Sequence, residues 1–193
     1  MGSRKLQTHI APSGYKLPSI HAFPPFFCFQ PAAKTRVSQD DQWVQLILSY
    51  ARFRRLFTLT VDDAEKTGSD WEEVLINERI NRRLTKQQVR TLLQMLVARG
   101  QATYEPPRQD DSVLLYWRKP GEWAEVLHSW AVSTGQLNTI MTFYEIQAPS
   151  LPSELSDIPT PLLKRAIDIL TKTNRAQIIE SGEGDGVRFF AGS

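Results

Sequence analysis

Apolar positions change their period several times along this chain, and each change marks an element. From Gln39 onward, Trp43, Leu46, Ile47, Tyr50 and Ala51 recur at the i, i+3, i+4 spacing that lines one stripe of a helix, which ends near Arg54-Arg55. Leu56-Phe57-Thr58-Leu59-Thr60-Val61 is β-branched and aromatic, so a short strand is predicted there, and Asp62 or Asp63 then offers an N-cap. Residues 71–82 continue as helix, with Val74, Leu75 and Ile80 as apolar contacts. Thr85-Lys86-Gln87-Gln88 opens the strongest helical pattern, which buries Val89, Leu92, Leu93 and Leu96 and stops at Gly100. Residues 101–105 and 113–117 then form a hairpin around Pro106-Pro107-Arg108-Gln109-Asp110-Asp111, a run of turn-forming residues. Helix, strand, helix, helix, hairpin is the element order of a winged-helix domain.

The second half repeats the first. Trp43, Leu46, Ile47 and Tyr50 are matched at identical spacing by Trp123, Val126, Leu127 and Trp130. Leu59-Thr60-Val61 before Asp62-Asp63 corresponds to Met141-Thr142-Phe143 before Tyr144-Glu145, and Leu96, Gly100, Ala102 and Tyr104 correspond to Leu170, Asn174, Ala176 and Ile178. Leu162, Leu163, Ala166, Ile167 and Leu170 form the buried face of the matching third helix, with Pro161 at its start behind Thr160. A closing hairpin, 176–180 and 187–190, turns around Gly182-Glu183-Gly184-Asp185-Gly186. The predicted fold is α+β: two tandem winged-helix domains over 38–119 and 120–193. The connection Arg118-Lys119-Pro120-Gly121 is too short for a flexible linker, so the domains are expected to pack rigidly. Residues 1–37 are rich in proline, carry Phe23, Phe26, Phe27 and Phe29, and show no helical or strand period; an extended tail is expected. Four such rings are a liability in water, so they must be buried against the chain's own domain or against a partner.

Composition narrows the chemistry. With 41% hydrophobic residues in a chain of 193, there is ample material for a core, while a formal net charge of +2 cannot supply the positive field of a tight phosphate-backbone binder. Cys28 is the one cysteine, which rules out an internal disulfide or thiolate cluster and suits a reducing compartment. It sits among phenylalanines and reads as a small apolar contact. No apolar run is long enough to span a bilayer, the first residues lack the apolar region of a signal peptide, and Leu6 stands where a myristoylation motif wants Ser or Thr. The chain is expected to be cytoplasmic.

Candidate catalytic or metal-binding groups do not assemble. Gly182, Gly184 and Gly186 precede a strand and not the helix that a phosphate loop requires. His9, His21 and His128 are too dispersed for a metal site, and His128 lies beside the Trp123, Leu127 and Trp130 stripe. Asp40-Asp41, Asp62-Asp63 and Asp110-Asp111 sit at element starts or in turns, where carboxylates complement helix N-termini. No catalytic residue, metal or cofactor is predicted. The alternative reading, a winged-helix DNA-binding regulator, would use Lys86, Arg90 and Arg99, or Lys164, Arg165 and Lys172 with Asp168 among them, as a recognition face. A WW-domain ligand would need tyrosine where Phe27 stands.

Several short motifs carry a family resemblance: Phe23-Pro24-Pro25-Phe26-Phe27 with Gln30-Pro31, then Arg36, Gln39 and Trp43, Tyr116-Trp117-Arg118 with Trp123, and Thr142-Phe143-Tyr144-Glu145. Through these, from Phe23 to Phe190, the chain resembles the subunits of the endosomal sorting complex ESCRT-II. The resemblance implies two winged helices, no enzymatic activity, two copies per complex, and recruitment to the endosomal membrane in sorting ubiquitinated cargo into multivesicular bodies. It implies that the arm docks on the two other ESCRT-II subunits through Phe23, Pro24, Pro25, Phe26 and Phe27, with Phe27 filling an aromatic pocket. A degenerate upstream motif, Pro12-Ser13-Gly14-Tyr15, contributes Tyr15, and Arg82 aligns with an arginine used in an ion pair to partners. The second winged helix is expected to recruit the nucleating subunit of ESCRT-III, with Lys164, Arg165, Ile178, Arg188 and Phe190 as contact candidates.

Overall fold

The computed structural model describes residues 8–179 and 186–192. The chain divides into two compact units, Met1–Trp117 and Arg118–Ser193.

The first unit begins with a small hairpin, β1 (His9–Ile10) paired antiparallel with β2 (Lys16–Leu17), closed by a turn in which the Gly14 N–H donates to the Ala11 carbonyl at 2.8 Å. Gly14 has φ +88°, a conformation that costs a residue with a Cβ. Two 3-10 turns follow, Ser19–Ala22 and Pro24–Phe27. The expected extended tail is therefore corrected to a folded arm. Proline's fixed φ fits the first position of a 3-10 turn as well as it fits an extended chain, and its missing N–H costs nothing there. The choice is made by Phe26 and Phe27, each only 3% exposed. Burial is worth about 1.5–3 kcal/mol per ring, which offsets much of the backbone freedom, about 1–2 kcal/mol per residue, that the turn gives up.

Helix α1 (Ala33–Arg54) starts six residues before Gln39 and ends on Arg55, which adopts the left-handed conformation at φ 54°. Strand β3 (Thr58–Thr60) leads into a 3-10 turn, Val61–Ala64, held by a reciprocal capping box between Thr60 and Asp63. The helix expected over 71–82 is corrected to a single turn, α2 (Glu72–Leu75), followed by a hairpin of β4 (Ile76–Asn77) and β5 (Arg82–Arg83) around Glu78–Ile80. The β-branched Ile76 and Ile80 and the backbone-competing Asn77 and Asn81 are poor helix formers, and Asn81 takes φ 50° to close the turn. Helix α3 (Lys86–Ala98) opens with a capping box between Thr85 and Gln88. Gly100 follows it at φ +65°. Strands β6 (Ala102–Tyr104) and β7 (Ser112–Leu115) complete a three-stranded sheet in the order β3-β7-β6. Trp43, Ile47, Tyr50, Leu59, Leu75, Leu93, Leu96 and Leu115 are buried in the core beneath it.

The second unit holds α4 (Pro120–Ser133), β8 (Ile140–Thr142), α5 (Phe143–Gln147), α6 (Thr160–Lys172), β9 (Ala176–Ile179) and β10 (Gly186–Phe189). Its sheet runs β8-β10-β9, so first strand, last strand and middle strand repeat the order of the first unit. Helices α4 and α6 pack together, placing Trp123, Leu127, Leu162, Leu163, Ile167 and Leu170 in the core. Residues 182–185 of the glycine-rich turn lie outside the described residues.

Candidate functional site: the proline-aromatic arm

Proline leaves carbonyl acceptors without adjacent donors, so a proline-rich turn can sit on a domain only if side chains satisfy those oxygens. Here glutamine and tryptophan side chains do so. Trp43 Nε1 donates to the Phe26 carbonyl at 2.9 Å, Gln39 Nε2 to the carbonyls of Phe26 at 2.6 Å and Cys28 at 3.0 Å, and Gln88 Nε2 to that of Phe27 at 2.9 Å. Gln30 Nε2 reaches the Pro25 carbonyl at 2.8 Å. The rings interlock with the same residues. Phe26 stacks on Trp43 with centroids 4.2 Å apart and planes 6° from parallel, and Phe27 meets the Trp43 edge at 5.3 Å and 83°. The two faces of α1 and α3 thus form a receptor for the chain's own Pro24–Phe27 turn.

This placement sorts the residues expected to dock. Phe26 and Phe27 belong to the first unit's core, each 3% exposed, so in the folded arm neither ring presents a free face. Phe23 is 42% and Phe29 66% exposed, and they flank the buried turn on either side. Arg36 lies 4.1 Å over the Phe29 ring, a cation–π contact that leaves the outer ring face in solvent. Strand β5, which carries Arg82, packs beside the Pro24–Phe27 turn. Arg82 is exposed, donates to the Asn81 carbonyl at 2.9 Å, and makes no ion pair among the described residues. Exposed rings therefore stand on either side of the buried turn, and an exposed cation lies on the strand packed beside it. Phe29 is the residue that sequence reasoning left out of the site; its place just after the buried pair was the available signal.

Tyr15 packs inward. Its ring meets Tyr50 at 5.1 Å and Phe53 at 5.3 Å, and its hydroxyl is 2.5 Å from Ser49 Oγ. Beside it, the Ser13 N–H and hydroxyl donate to the Glu73 carboxylate at 2.8 and 2.5 Å. Burial, and after it the Glu73 charge, pushes the Tyr50 phenol up to about 12. Cys28 is exposed, against the expected apolar contact, because Phe26 and Phe27 take the two inward positions of the turn.

The arm's other buried polar group is His21, 2% exposed. Its Nε2–H donates to the Val74 carbonyl at 2.9 Å; Asn77 Nδ2 donates to His21 Nδ1 at 3.2 Å and to the His21 carbonyl at 2.8 Å. Burial holds the imidazole below its ordinary value of 6.5, only partly opposed by the Val74 bond.

In the second unit, Ile178 on β9 and Arg188 on β10 lie in adjacent rows of one sheet and Phe190 follows directly, all half-buried. Lys164 on α6 is exposed and stands 5.6 Å over the Phe143 ring of α5, while Arg165 is half-buried on the same helix. Tyr144 at the start of α5 and Ile140 on β8 are exposed large side chains close by in sequence. His128 donates from Nε2 to the Phe190 carbonyl at 2.7 Å, so it serves packing. Of the two alternative DNA-reading faces, the first has its cations paired internally: Lys86 with Asp62 and Glu65, Arg90 with Asp110 and Asp111, and Arg99 with Asp41. No cluster of three metal-ligating side chains occurs among the described residues.

Comparison with known proteins gives a consistent picture. The family described as ESCRT-II complex subunit matches residues 20–157. Vacuolar protein-sorting-associated protein 25 of Dictyostelium discoideum is 30% identical over 191 residues, covering 92% of this chain and 97% of the relative. Its counterpart in Drosophila melanogaster is 33% identical and that in Homo sapiens 29%, each covering 91% of this chain and 98% of the relative. Among solved structures, subunit VPS25 of the endosomal trafficking complex ESCRT-II superposes with TM-score 0.76 at 22% identity, over 89% of this chain and 98% of that one. A chain of the ESCRT-II complex of VPS22, VPS25 and VPS36 gives TM-score 0.73 at 22% identity, over 90% and 98%.

Proposed function

The chain belongs to the ESCRT-II complex subunit family, and on that premise we propose that it is a non-catalytic scaffold subunit built of two tandem winged helices. The repeated sheet order and the repeated helix pattern support the tandem reading. In this reading the arm edge of the first unit docks on the other two subunits of the complex, two copies of the chain take part, and the second unit recruits the nucleating subunit of ESCRT-III. Assembled, it works from the cytoplasm on the endosomal membrane in sorting ubiquitinated cargo into multivesicular bodies. No helix among the described residues is long and apolar enough to cross a membrane.

One observation carries the docking reading: Phe23, Phe29 and the exposed Arg82 gather around a turn whose inner rings are fixed in the core. Rigid presentation lowers the entropic cost of binding, and a cation desolvated at an interface contributes far more than one left in solvent. The working contacts are the outer face of Pro24 and Pro25, the Phe23 and Phe29 rings and Arg82. Phe26, Phe27 and Tyr15 act by shaping the arm. For the ESCRT-III contact, Lys164, Arg165, Ile178, Arg188 and Phe190 remain the candidates, and Tyr144 and Ile140 join them by exposure.

Co-purification with the two partner subunits tests this. Phe23→Ala and Arg82→Glu should each lose co-purification with unchanged circular dichroism, and undiminished assembly of both variants would sink the docking surface. A second-unit variant, Lys164→Glu with Arg188→Glu, should keep ESCRT-II assembly and lose binding of an ESCRT-III amino-terminal helix.

A further inference from the structure

His21 is a buried titratable group that the docking reading does not use. It sits in the 3-10 turn Ser19–Ala22, at the joint between the β1-β2 hairpin and the Pro24–Phe27 turn, and it faces α2 and β4. Its bonds fix its state. The Val74 carbonyl can only accept, so Nε2 carries a hydrogen; Asn77 presents its Nδ2 to Nδ1, so Nδ1 carries a lone pair. The side of the ring is sealed by Phe27 at 5.0 Å and Trp43 at 6.4 Å, both edge-on. A second proton on Nδ1 would set two donors against each other, with the new charge on a ring only 2% exposed.

We propose that His21 is a proton-linked clasp: the neutral imidazole locks the arm onto the first unit, and its protonation releases the Pro24–Phe27 turn and exposes Phe26 and Phe27.

The charged surroundings do not rescue a protonated ring. His21 borders a cavity of about 400 Å³ that also receives His9 from β1, Arg54 from α1, Asp70 from the preceding loop, Glu72 and Glu73 from α2, and Glu78 and Arg79 from the 3-10 turn. Of the carboxylates, Glu73 accepts from Ser13 and Tyr50, Glu72 from the Gly68 N–H, and Asp70 from Arg54. His9 is the charged neighbour that acts on the ring, and as a cation it opposes protonation; burial is the larger cause. Asn77 on β4 is neutral, and the Pro24–Phe27 turn carries no charged residue.

The sign follows. The imidazole is held below 6.5 in the clasped state and titrates near 6.5 once free. Above that value both states are neutral and the clasp is at full strength. As the pH falls through 6.5, the free arm takes up the proton first and the clasp weakens, until the clasped ring's own lower midpoint is passed. Acid opens the arm. The inference concerns the chain alone and stands whether or not the arm edge binds the proposed partners.

The native Cys28 supplies the probe. It is the chain's one cysteine, it is exposed, and it lines a shallow pocket together with Trp43. Bimane attached there in the full chain is quenched by Trp43 while the arm is seated, so release reads as a gain in emission. On acidification from about 7.5 to about 5, emission should rise in the wild-type chain and stay flat in His21→Gln, which keeps an N–H donor toward Val74 but takes no proton. Asn77→Asp, which places a carboxylate against Nδ1, should raise the His21 imidazole midpoint, read by the ring C2 proton resonance. Equal emission gains in wild type and His21→Gln, or a wild-type His21 midpoint at or above 6.5, would overturn the clasp.

Discussion

Trp43 connects the arm to the domain: it stacks under Phe26, meets Phe27 edge-on and donates its indole hydrogen to the arm's backbone. Truncating either partner ring should therefore cost stability before it costs binding. Phe27→Ala is expected to destabilise the first unit by about 3–5 kcal/mol, the range for a buried phenylalanine, while the exposed Phe23→Ala stays within about 0.5 kcal/mol. Urea unfolding of the two variants side by side checks this, and a Phe27→Ala chain as stable as wild type would return Phe27 to the surface. Tyr50 offers an independent reading at high pH. Its phenol is held to about 12 by burial and by Glu73, whereas an unfolded tyrosine ionises near 10. The stability it contributes is present below 10 and is lost as the pH rises toward 12. Phenolate absorbance in the folded chain should show its transition moving down in Glu73→Gln, because the second-largest cause is removed.

At the scale of elements, stop and start chemistry proved as informative as periodicity. The capping box of Thr85 and Gln88 opens α3, and Gln88 uses its remaining donor on the Phe27 carbonyl, so one residue starts a helix and holds the arm. Thr85→Ala is expected to cost about 1 kcal/mol through the lost cap, measurable as a lowered urea midpoint with unchanged slope. The stretch 71–82 shows the opposite case. Its apolar residues fit a helical period, yet β-branched and asparagine side chains break it after one turn, and the resulting hairpin brings Asn77 to His21 and Arg82 to the arm edge. The site thus depends on an element that the apolar pattern alone assigns wrongly, because asparagine's bond to a distant carbonyl is a tertiary event. For the same reason the exposed Phe23 and Phe29 and the buried Phe26 and Phe27 could not be told apart in sequence: the inward rings are the two that meet Trp43, a partner more than a dozen residues away.

For the whole molecule, the division at Trp117 and Arg118 makes the arm part of the first unit. Deleting residues 1–27 should lower the first unit's thermal midpoint and leave a fragment of residues 118–193 unaffected, as followed by circular dichroism of each piece; an unchanged midpoint would mean the arm contributes nothing to the fold. By itself the sequence determined the two-fold repeat and the helix faces that bury Trp43 and Trp123, since both are written in local period and residue type. Family membership was legible too, in short motifs spread from the arm to α5. Only the tertiary structure decided where the arm goes. Its prolines permit both an extended chain and a 3-10 turn, and the decision falls to groups far away in sequence: Trp43, Gln39 and Gln88 satisfying its carbonyls, and Val74 with Asn77 closing on His21.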